Sequence, residues 1–222
     1  MKWLFVLAHP DDEADVGGTI YKLNQAGEQV AVALLVSKAA ARRNLSSDLS
    51  EEEQRSMSIL GVSKVYHTDF PNIQMNTVPE SEIVQFIESC INDWKADAIV
   101  THHSADVNVD HRVTSTAALA ASRLFQRREG VPSLKLFLMC EVSGATEWSL
   151  DSSKNRFTPN HYVEIGREGL DVKWKAFSAY SGVPRSYPHP YSKDAFEGLA
   201  AYRGAQSGCM YAEAFECVFQ CR

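Results

Sequence analysis

The chain has 222 residues, of which 45% are hydrophobic and 23% are charged, and its formal net charge is −6. The acidic balance, without a clustered basic face, argues against a nucleic-acid partner. No apolar stretch approaches the roughly 20 residues that span a membrane, and no signal-peptide core follows the N-terminus. With five cysteines and no C-x-x-C pair, we expect a cytoplasmic protein that folds as a single domain over residues 1–222.

Apolar runs of strand length alternate with segments of helical periodicity through the first two-thirds of the chain. Strands are predicted at residues 3–7, 29–36, 64–67, 97–101 and 134–140. Helices are predicted at residues 19–26, 51–60, 81–94, 112–125, 168–180 and 193–202. This order predicts an α/β protein with a Rossmann-like, mostly parallel sheet and helices on both faces. The C-terminal third, beginning with the polar segment 142–163, is expected to cap the edge of the sheet that carries the functional residues.

The first predicted strand runs directly into Ala-His-Pro-Asp-Asp-Glu at residues 8–13. In an open parallel sheet, the loops that leave the carboxyl ends of strands are where ligands bind. His9 and Asp12 lie three residues apart, so on a tight turn they can face one point and begin a zinc site. Asp11 is then placed to accept a proton from an attacking water. The alternative is that these carboxylates merely favour a helix N-terminus electrostatically.

A second polar cluster follows the fourth predicted strand, so it should open on the same edge of the sheet as the first. His111 follows an Asp and begins a predicted helix, and we expect it to be the third ligand. Asp110 or Asp106 is expected to accept a hydrogen bond from one of the imidazoles and so fix its tautomer. His102 or His103, at the end of the strand, is the alternative metal ligand.

Two motifs combine in this chain: A-H-P-D-D-E at residues 8–13 with a Gly-Gly pair at 17–18, and D-x-N-x-D-H at 106–111. Together they resemble the PIG-L/LmbE family of zinc-dependent N-deacetylases. The resemblance covers most of the chain, and the pairing of the two motifs makes it specific. It implies a Rossmann-like fold and hydrolysis of the N-acetyl group of an N-acetylated sugar or sugar conjugate.

The resemblance also assigns roles to individual residues. It implies that His9, Asp12 and His111 hold the zinc ion and that Asp11 is the general base. A set of two histidines and one aspartate with open positions also suits Fe2+, and Mn2+ is a further alternative. Family members often form trimers or hexamers, so a homo-oligomer is the expectation.

The chain departs from the family pattern at Asn108, where many members have a histidine that stabilises the oxyanion or protonates the leaving amine. A side-chain amide can donate a hydrogen bond to an oxyanion but cannot deliver a proton at neutral pH. We therefore expect His189, held between two prolines, to supply the missing group. The alternatives are that Asp11 returns the proton it took, and that His189 is an ordinary residue of a rigid surface loop.

A second departure precedes the predicted helix 51–60. Many members carry an Arg there that contacts substrate, and Leu49 takes that position in this chain. Arg42, Arg43 or Arg55 could stand in for it.

The substrate is expected to be a small N-acetylated sugar or a nucleotide sugar. Trp148 offers an aromatic face for a sugar ring, while Arg185 or Arg203 could reach a phosphate. Two other interpretations remain: a hydrolase of another small amide, such as an N-formyl group, and a carbohydrate- or metal-binding relative without catalysis. The second would lack a ligand or the base, and His9, Asp11, Asp12 and His111 are all present.

Overall fold

A computed structural model describes residues 1–36, 49–150 and 156–221, which contain a seven-stranded sheet in the order β3-β2-β1-β4-β5-β7-β6. The strands are β1 (Lys2–Leu7), β2 (Gln29–Leu34), β3 (Lys64–His67), β4 (Ala98–His102), β5 (Leu136–Cys140), β6 (His161–Glu164) and β7 (Ala212–Gln220). The helices are α1 (Asp12–Asp15), α2 (Gly17–Gln25), α3 (Ser50–Leu60), α4 (Glu80–Trp94), α5 (Val109–Ala121), α6 (Gly166–Phe177) and α7 (Lys193–Ser207). The predicted α/β class and mostly parallel sheet are confirmed.

Strands β1 to β5 pair in parallel, and the central ones are buried along nearly their whole length. Their sequences are continuous apolar runs because helices cover both faces of the parallel sheet. On β1, Leu4 and Val6 pack with helices α4 and α5, whereas Phe5 and Leu7 pack with α2, α3 and α6. The alternation of neighbouring side chains between two cores follows from the two-residue period of a strand.

The pairing of β1 with β4 decides where the functional site lies. Trp3 is in register with Ala98 and Val6 with Thr101, so both strands end at the same edge of the sheet. The chain order reverses across this pair, since β2 and β3 lie on one side and β5 on the other. Such a switch point opens a crevice between neighbouring loops, which is the usual ligand site of this architecture.

The structure corrects several predicted boundaries. Helix α5 begins at Val109, three residues earlier than predicted, because the Asn108 side chain accepts a hydrogen bond from the Asp110 N–H and caps the helix. Helix α7 continues to Ser207, and Gly208 then ends it in the left-handed conformation with a φ of 81°. Both boundaries depend on a cap rather than on hydrophobic periodicity.

Strand β7 is among the elements missing from the prediction. Its first four residues are buried and its last three are exposed, and it lies antiparallel between β5 and β6. The strand therefore interrupts the parallel order at this side of the sheet and places Glu213 and Phe215 under the C-terminal helices.

The C-terminal third packs against the loops at the functional edge, as expected for a cap. The Tyr180 hydroxyl, just after α6, donates to the Glu13 carboxylate in α1. A Cβ at Gly144 would lie 3.1 Å from Pro190, so the segment before α7 contacts the loop after β5. Residues 151–155 of the predicted polar segment lie outside the described ranges. Across the described ranges, no helix combines the length and apolar character needed to span a membrane.

Candidate active site

The loops after β1 and β4 bring together three side chains that could hold a metal ion: His9, Asp12 and His111. One ligand atom from each lies within 4.8 Å of the others, and all three residues are buried. His9 Nδ1 is 3.3 Å from His111 Nε2, while the Asp12 carboxylate lies 3.4 Å from the first and 3.5 Å from the second. We call these three residues the donor group.

Local hydrogen bonds position the two donor-group residues of the loop after β1, His9 and Asp12. The Asp12 N–H donates to the His9 carbonyl, and the His9 N–H donates to Asp12 Oδ2 at 2.7 Å. This tight turn brings the two side chains to one point, as their three-residue spacing predicts. Burial alone would raise the pKa of Asp12, but the neighbouring imidazoles of His111 and His102 lower it, so the carboxylate is ionised.

Two further carboxylates face the outer nitrogens of the histidines. Asp110 Oδ2 lies 3.0 Å from His9 Nε2, and Asp106 Oδ2 lies 3.2 Å from His111 Nδ1. Burial alone would raise the pKa of each carboxyl, but hydrogen bonds hold both pKa values below the usual range. An ionised carboxylate can only accept, so His9 donates from Nε2, whereas His111 Nδ1 meets Asp106 as an ion pair without hydrogen-bond geometry. The remaining nitrogens, His9 Nδ1 and His111 Nε2, face each other across the donor group.

Backbone amides and a hydroxyl hold these two carboxylates in turn. Asp110 accepts from the N–H groups of Ile73 and Met75, at 2.5 and 3.1 Å. Asp106 accepts from the Asn108 N–H and from the Thr146 hydroxyl, each at 2.8 Å. The segments after β3 and β5 therefore support the donor group, although neither contributes to the two sequence motifs.

Without a metal, both histidines of the donor group hold a proton strongly. Burial lowers their pKa values, but the surrounding carboxylates outweigh it, raising the pKa of His9 to about 9 and that of His111 to about 10. Since a metal binds the neutral imidazole, any ion entering this site must displace these protons.

Of the alternative ligands, His102 lies beside the donor group, whereas His103 Nε2 lies 3.3 Å from Glu216 Oε2 in β7. His102 stacks on His111 with 4.0 Å between the ring centroids, and its Nε2 accepts the Ala8 N–H at 2.9 Å. His103 Nδ1 accepts the Ala105 N–H at 3.3 Å. Burial lowers the pKa of His102, so this ring is neutral, and the Ala8 N–H already occupies its single acceptor nitrogen.

Asp11 lies between the two donor-group residues of the first loop, with an unusual backbone conformation. Its φ of 102° and ψ of −23° belong to the left-handed side of the map, which Asp adopts more readily than most residues. Its N–H donates to Glu13 Oε2 at 3.0 Å. A backbone strain of this kind costs on the order of 1–3 kcal/mol and persists where surrounding contacts fix it.

Comparison with known proteins identifies the family. The sequence profile described as PIG-L, GlcNAc-PI de-N-acetylase, matches residues 4–122, which is more than half of the chain. The chain belongs to the PIG-L family. This confirms the resemblance that the two motifs indicate and makes the chain a member of a deacetylase, and hence hydrolase, family.

Individual relatives of this PIG-L family member agree with the assignment. A diacetylchitobiose deacetylase of Thermococcus kodakarensis is 27% identical over 96% of this chain and 81% of its own length. The N,N'-diacetylchitobiose deacetylase from Pyrococcus horikoshii superimposes with a TM-score of 0.73 at 20% identity, over 98% of this chain and 83% of the other. GalB of Pseudomonas putida, a 4-carboxy-2-hydroxymuconate hydratase, gives a TM-score of 0.77 at 18% identity, over 100% of this chain and 98% of the other. These superpositions establish the fold, and they include a protein named for a different reaction.

The Gly-Gly pair of the first PIG-L motif has a packing reason. A Cβ at Gly18 would lie 2.8 Å from the Ile165 side chain and 2.9 Å from Glu213 Oε1. That carboxylate accepts the N–H groups of Gly18 and Thr19 at the start of α2, and it pairs with the buried Lys173 ammonium at 2.9 Å. Glycine is required there because the helix N-terminus approaches a buried carboxylate so closely.

The remaining predicted site residues lie outside the donor group. Asn108 uses its side-chain oxygen as the cap of α5, which leaves the amide NH2 as a donor. His189 is exposed, and its Nδ1 accepts the Tyr191 N–H at 3.0 Å. Trp148 is 59% exposed, and Arg185 is exposed and donates to the carbonyl of Gly182.

Arg203 does not offer the phosphate contact that the sequence analysis considered. Its guanidinium makes two hydrogen bonds to the Glu141 carboxylate, at 2.6 and 2.7 Å, in a partly buried bidentate pair. Of the three arginines considered for substrate contact near α3, Arg55 is exposed on the helix, whereas Arg42 and Arg43 lie outside the described residues. The residues that sequence reasoning missed are Glu13, Ser56, Thr146 and Lys173, all buried and far apart in the chain.

Proposed function

We propose that this protein is a metal-dependent N-deacetylase that releases acetate from the nitrogen of an N-acetylated sugar or sugar conjugate. The observation that carries the proposal is the donor group, with Asp11 between two of its members. Three protein ligands with room for a water molecule are typical of catalytic metal sites. Membership of the PIG-L family and the deacetylase relatives support the same chemistry.

The residues present fit a divalent transition metal. His9 Nδ1, His111 Nε2 and one Asp12 oxygen would hold it, because Asp110 and Asp106 already occupy the outer nitrogens of the two imidazoles. When bound, such an ion polarises an acyl carbonyl and lowers the pKa of water from 15.7 toward about 7. We propose Zn2+, with Fe2+ and Mn2+ as the alternatives that a two-histidine, one-carboxylate set also suits.

Asp11 is proposed as the general base. Its carboxylate takes one proton from the attacking water while the water oxygen forms a bond to the acetyl carbon. The C–N bond then breaks, the amine nitrogen receives a proton, and acetate leaves with the second oxygen. A positioned base of this kind contributes typically 10²- to 10⁴-fold to the rate.

The groups that stabilise the oxyanion and protonate the amine are proposed from what remains near the donor group. The Asn108 amide keeps its NH2 free of the cap interaction, so it can donate to the oxyanion. The proton on the amine comes from Asp11, which returns what it took, or from His189. The position of His189 in the exposed segment before α7 favours Asp11 for this step.

The proposed substrate class is a neutral N-acetylated sugar. The exposed indole of Trp148 offers a stacking face, and the relative from Thermococcus kodakarensis is named for diacetylchitobiose. A nucleotide sugar finds less support, because Arg203 is paired with Glu141 and Arg185 donates to a local carbonyl.

The cytoplasm remains the proposed compartment. All five cysteines are free thiols, and Cys90 and Cys140 are buried. Burial raises the pKa of the Cys90 thiol to about 12, so this thiol stays protonated and unreactive. Free thiols of this kind are typical of a reducing environment.

The test is a deacetylation assay on the purified, metal-loaded protein. N-acetylated mono- and disaccharides, nucleotide sugars and N-formyl analogues are offered separately, and released amine, acetate and formate are measured. Wild type is compared with Asp11→Asn, which keeps the size of the side chain but cannot accept a proton at neutral pH. Metal content is determined on both proteins.

We expect acetate release from a sugar by wild type, reduced at least 100-fold in Asp11→Asn with the metal retained. Release of formate but not acetate would replace the proposal with hydrolysis of another small amide. Metal binding without turnover of any compound would favour a binding protein.

A further inference from the structure

Glu13 is fully buried, and its carboxylate joins three separate parts of the molecule. Its Oε2 accepts the Asp11 N–H at 3.0 Å within the loop after β1. Its Oε1 accepts the Ser56 hydroxyl from α3 at 2.5 Å and the Tyr180 hydroxyl, just after α6, at 2.7 Å. Ser56 and Tyr180 are themselves fully buried, so this carboxylate is anchored on α3 and on the segment just after α6.

The Asp11 backbone needs such an anchor. With a φ of 102°, its conformation is one that an L side chain rarely adopts. The direction of a Cα–Cβ bond follows from the backbone angles, so a rotation at this residue would swing the carboxylate away from His9 and Asp12, which flank it in the turn. A displacement of about 1 Å at a reacting group can cost on the order of 100-fold in rate.

We infer that Glu13 is a positioning residue for the proposed base: its Oε2 holds the Asp11 N–H and thereby the direction of the Asp11 carboxylate. The inference rests on the proposed function, because it assigns Glu13 a part in the same reaction. Glu13 does more than pack, since its Oε2 accepts from the loop that carries Asp11 and its Oε1 accepts from Ser56 and Tyr180 in the core. Glu13 contacts no member of the donor group among the hydrogen bonds of the described residues.

The division between the two oxygens supplies matched variants. Glu13→Leu removes both acceptors while keeping a side chain of similar size. Glu13→Gln restores an acceptor for the Asp11 N–H, and its NH2 can donate to the two hydroxyl oxygens instead. Tyr180→Phe and Ser56→Ala each remove one hydrogen bond to Oε1 and leave the Asp11 contact in place.

The experiment measures kcat and KM on the sugar that wild type deacetylates best, together with metal content, melting temperature and amide exchange at Asp11. For Glu13→Leu we expect kcat to fall about 100-fold, with KM and metal content within about twofold of wild type. The Asp11 amide should exchange at least tenfold faster. Glu13→Gln should recover kcat to within about tenfold of wild type, because the acceptor is restored.

Tyr180→Phe and Ser56→Ala separate positioning from folding. We expect both to lower the melting temperature while kcat and Asp11 exchange stay within about threefold of wild type. The inference is overturned if these two variants lose as much kcat as Glu13→Leu, or if Glu13→Leu keeps the wild-type kcat. If Glu13→Leu fails to fold, Glu13→Gln is compared with Tyr180→Phe. A loss of kcat in Glu13→Gln alone would overturn the inference, because its side-chain oxygen should still accept the Asp11 N–H.

Failure of the proposed function gives a different pattern. If wild type releases acetate from no sugar, the exchange measurement still tests whether Glu13 fixes the Asp11 backbone. Faster exchange in Glu13→Leu than in Tyr180→Phe would then keep the structural part of the inference without the reaction. Equal exchange in both would overturn it.

Discussion

The donor group and the segment between α6 and α7 both lie at the functional edge of the sheet, yet they are built differently. His9, Asp12 and His111 are buried, and the carboxylates of Asp110 and Asp106 lie against the outer nitrogens of the two imidazoles. Arg185 and His189 are exposed, and their hydrogen bonds are to the backbone of their own segment. The first region holds its geometry before any ligand arrives, whereas the second leaves Arg185 and His189 facing solvent.

This difference separates two parts of the chemistry. A preorganised site gains its effect because its groups need not reorganise during the reaction. Exposed side chains at a rim can vary without disturbing the core, which is how one fold serves different substrates. GalB, named as a hydratase, shares the fold of this chain at a TM-score of 0.77, which agrees with such a division. We therefore expect large effects from substitutions in the donor group and in the carboxylates behind it, Asp106 and Asp110. Substitutions of the exposed residues Trp148, Arg185 and His189, which we call the rim, should have small effects.

The largest effect is expected for His111→Ala. Removing this imidazole deletes one ligand and takes away the positive charge that pairs with the buried carboxylates of Asp12 and Asp106. Breaking a buried pair in this way costs about 3–5 kcal/mol, so the free energy of unfolding of the metal-free protein should fall by that amount. Denaturant unfolding measures the loss, and metal analysis should show no retained ion. A variant that keeps both its metal and its stability would remove His111 from the donor group.

Next come the two carboxylates behind the histidines. Asp106→Asn and Asp110→Asn keep the shape of the side chain but offer an amide in place of an ionised acceptor, so each should weaken metal binding about 10- to 100-fold. Competition with a chelator gives the affinity. Asp93→Asn is the matched control, because Asp93 forms an exposed ion pair with Lys64 away from the site, and its affinity should equal that of wild type. Equal affinities in all three variants would show that tautomer control is unimportant here.

The protonation of the histidines predicts how metal binding depends on pH. Folded metal-free protein holds protons on His9 and His111 up to a pKa of about 9 and about 10, against roughly 6.5 in the unfolded chain. Metal binding must release these protons, so affinity should rise between pH 6.5 and 9, by at most tenfold per pH unit for each proton. Calorimetry in buffers of different ionisation enthalpy counts the protons released.

The same shifts fix the sign of the stability change in the metal-free protein. A raised histidine pKa stabilises the fold fully below about pH 6.5, and this contribution is lost as pH rises through the folded pKa values. Melting temperatures of metal-free protein should therefore fall from pH 6.5 to 9, while those of metal-loaded protein change less. A metal affinity independent of pH would contradict the protonated state of the two histidines.

The rim should give the smallest effects. Trp148→Ala removes a stacking face worth about 0.5–1.5 kcal/mol, which corresponds to roughly a two- to tenfold rise in KM for the sugar. Arg185→Ala and His189→Ala should change stability by less than about 0.5 kcal/mol, because both side chains are exposed. Metal content should stay at the wild-type level in all three. A loss of kcat above 100-fold in His189→Ala would instead make His189 the acid that protonates the amine.

The sequence alone predicted the α/β class and the strand-helix order of the parallel part, because hydrophobic periodicity is local information. It also predicted that the residues of the two motifs lie at one edge of the sheet, since the carboxyl ends of parallel strands meet there. Strand β7 was missed because its sequence lacks a regular two-residue alternation and no neighbouring element predicted an antiparallel return.

Tertiary structure decided which further residues support the site. The contact between Glu13 and Tyr180 spans 167 positions in the chain, and that between Asp106 and Thr146 spans 40. No local pattern specifies such a pair, because it depends on how helices and loops pack against the sheet. Choosing among His102, His103 and His111 likewise required the fold, since only the backbone around Ala8 shows that His102 Nε2 is already used. Spacing thus indicated the chemistry of the donor group, while burial and long-range hydrogen bonds determined which nitrogen and which oxygen face it.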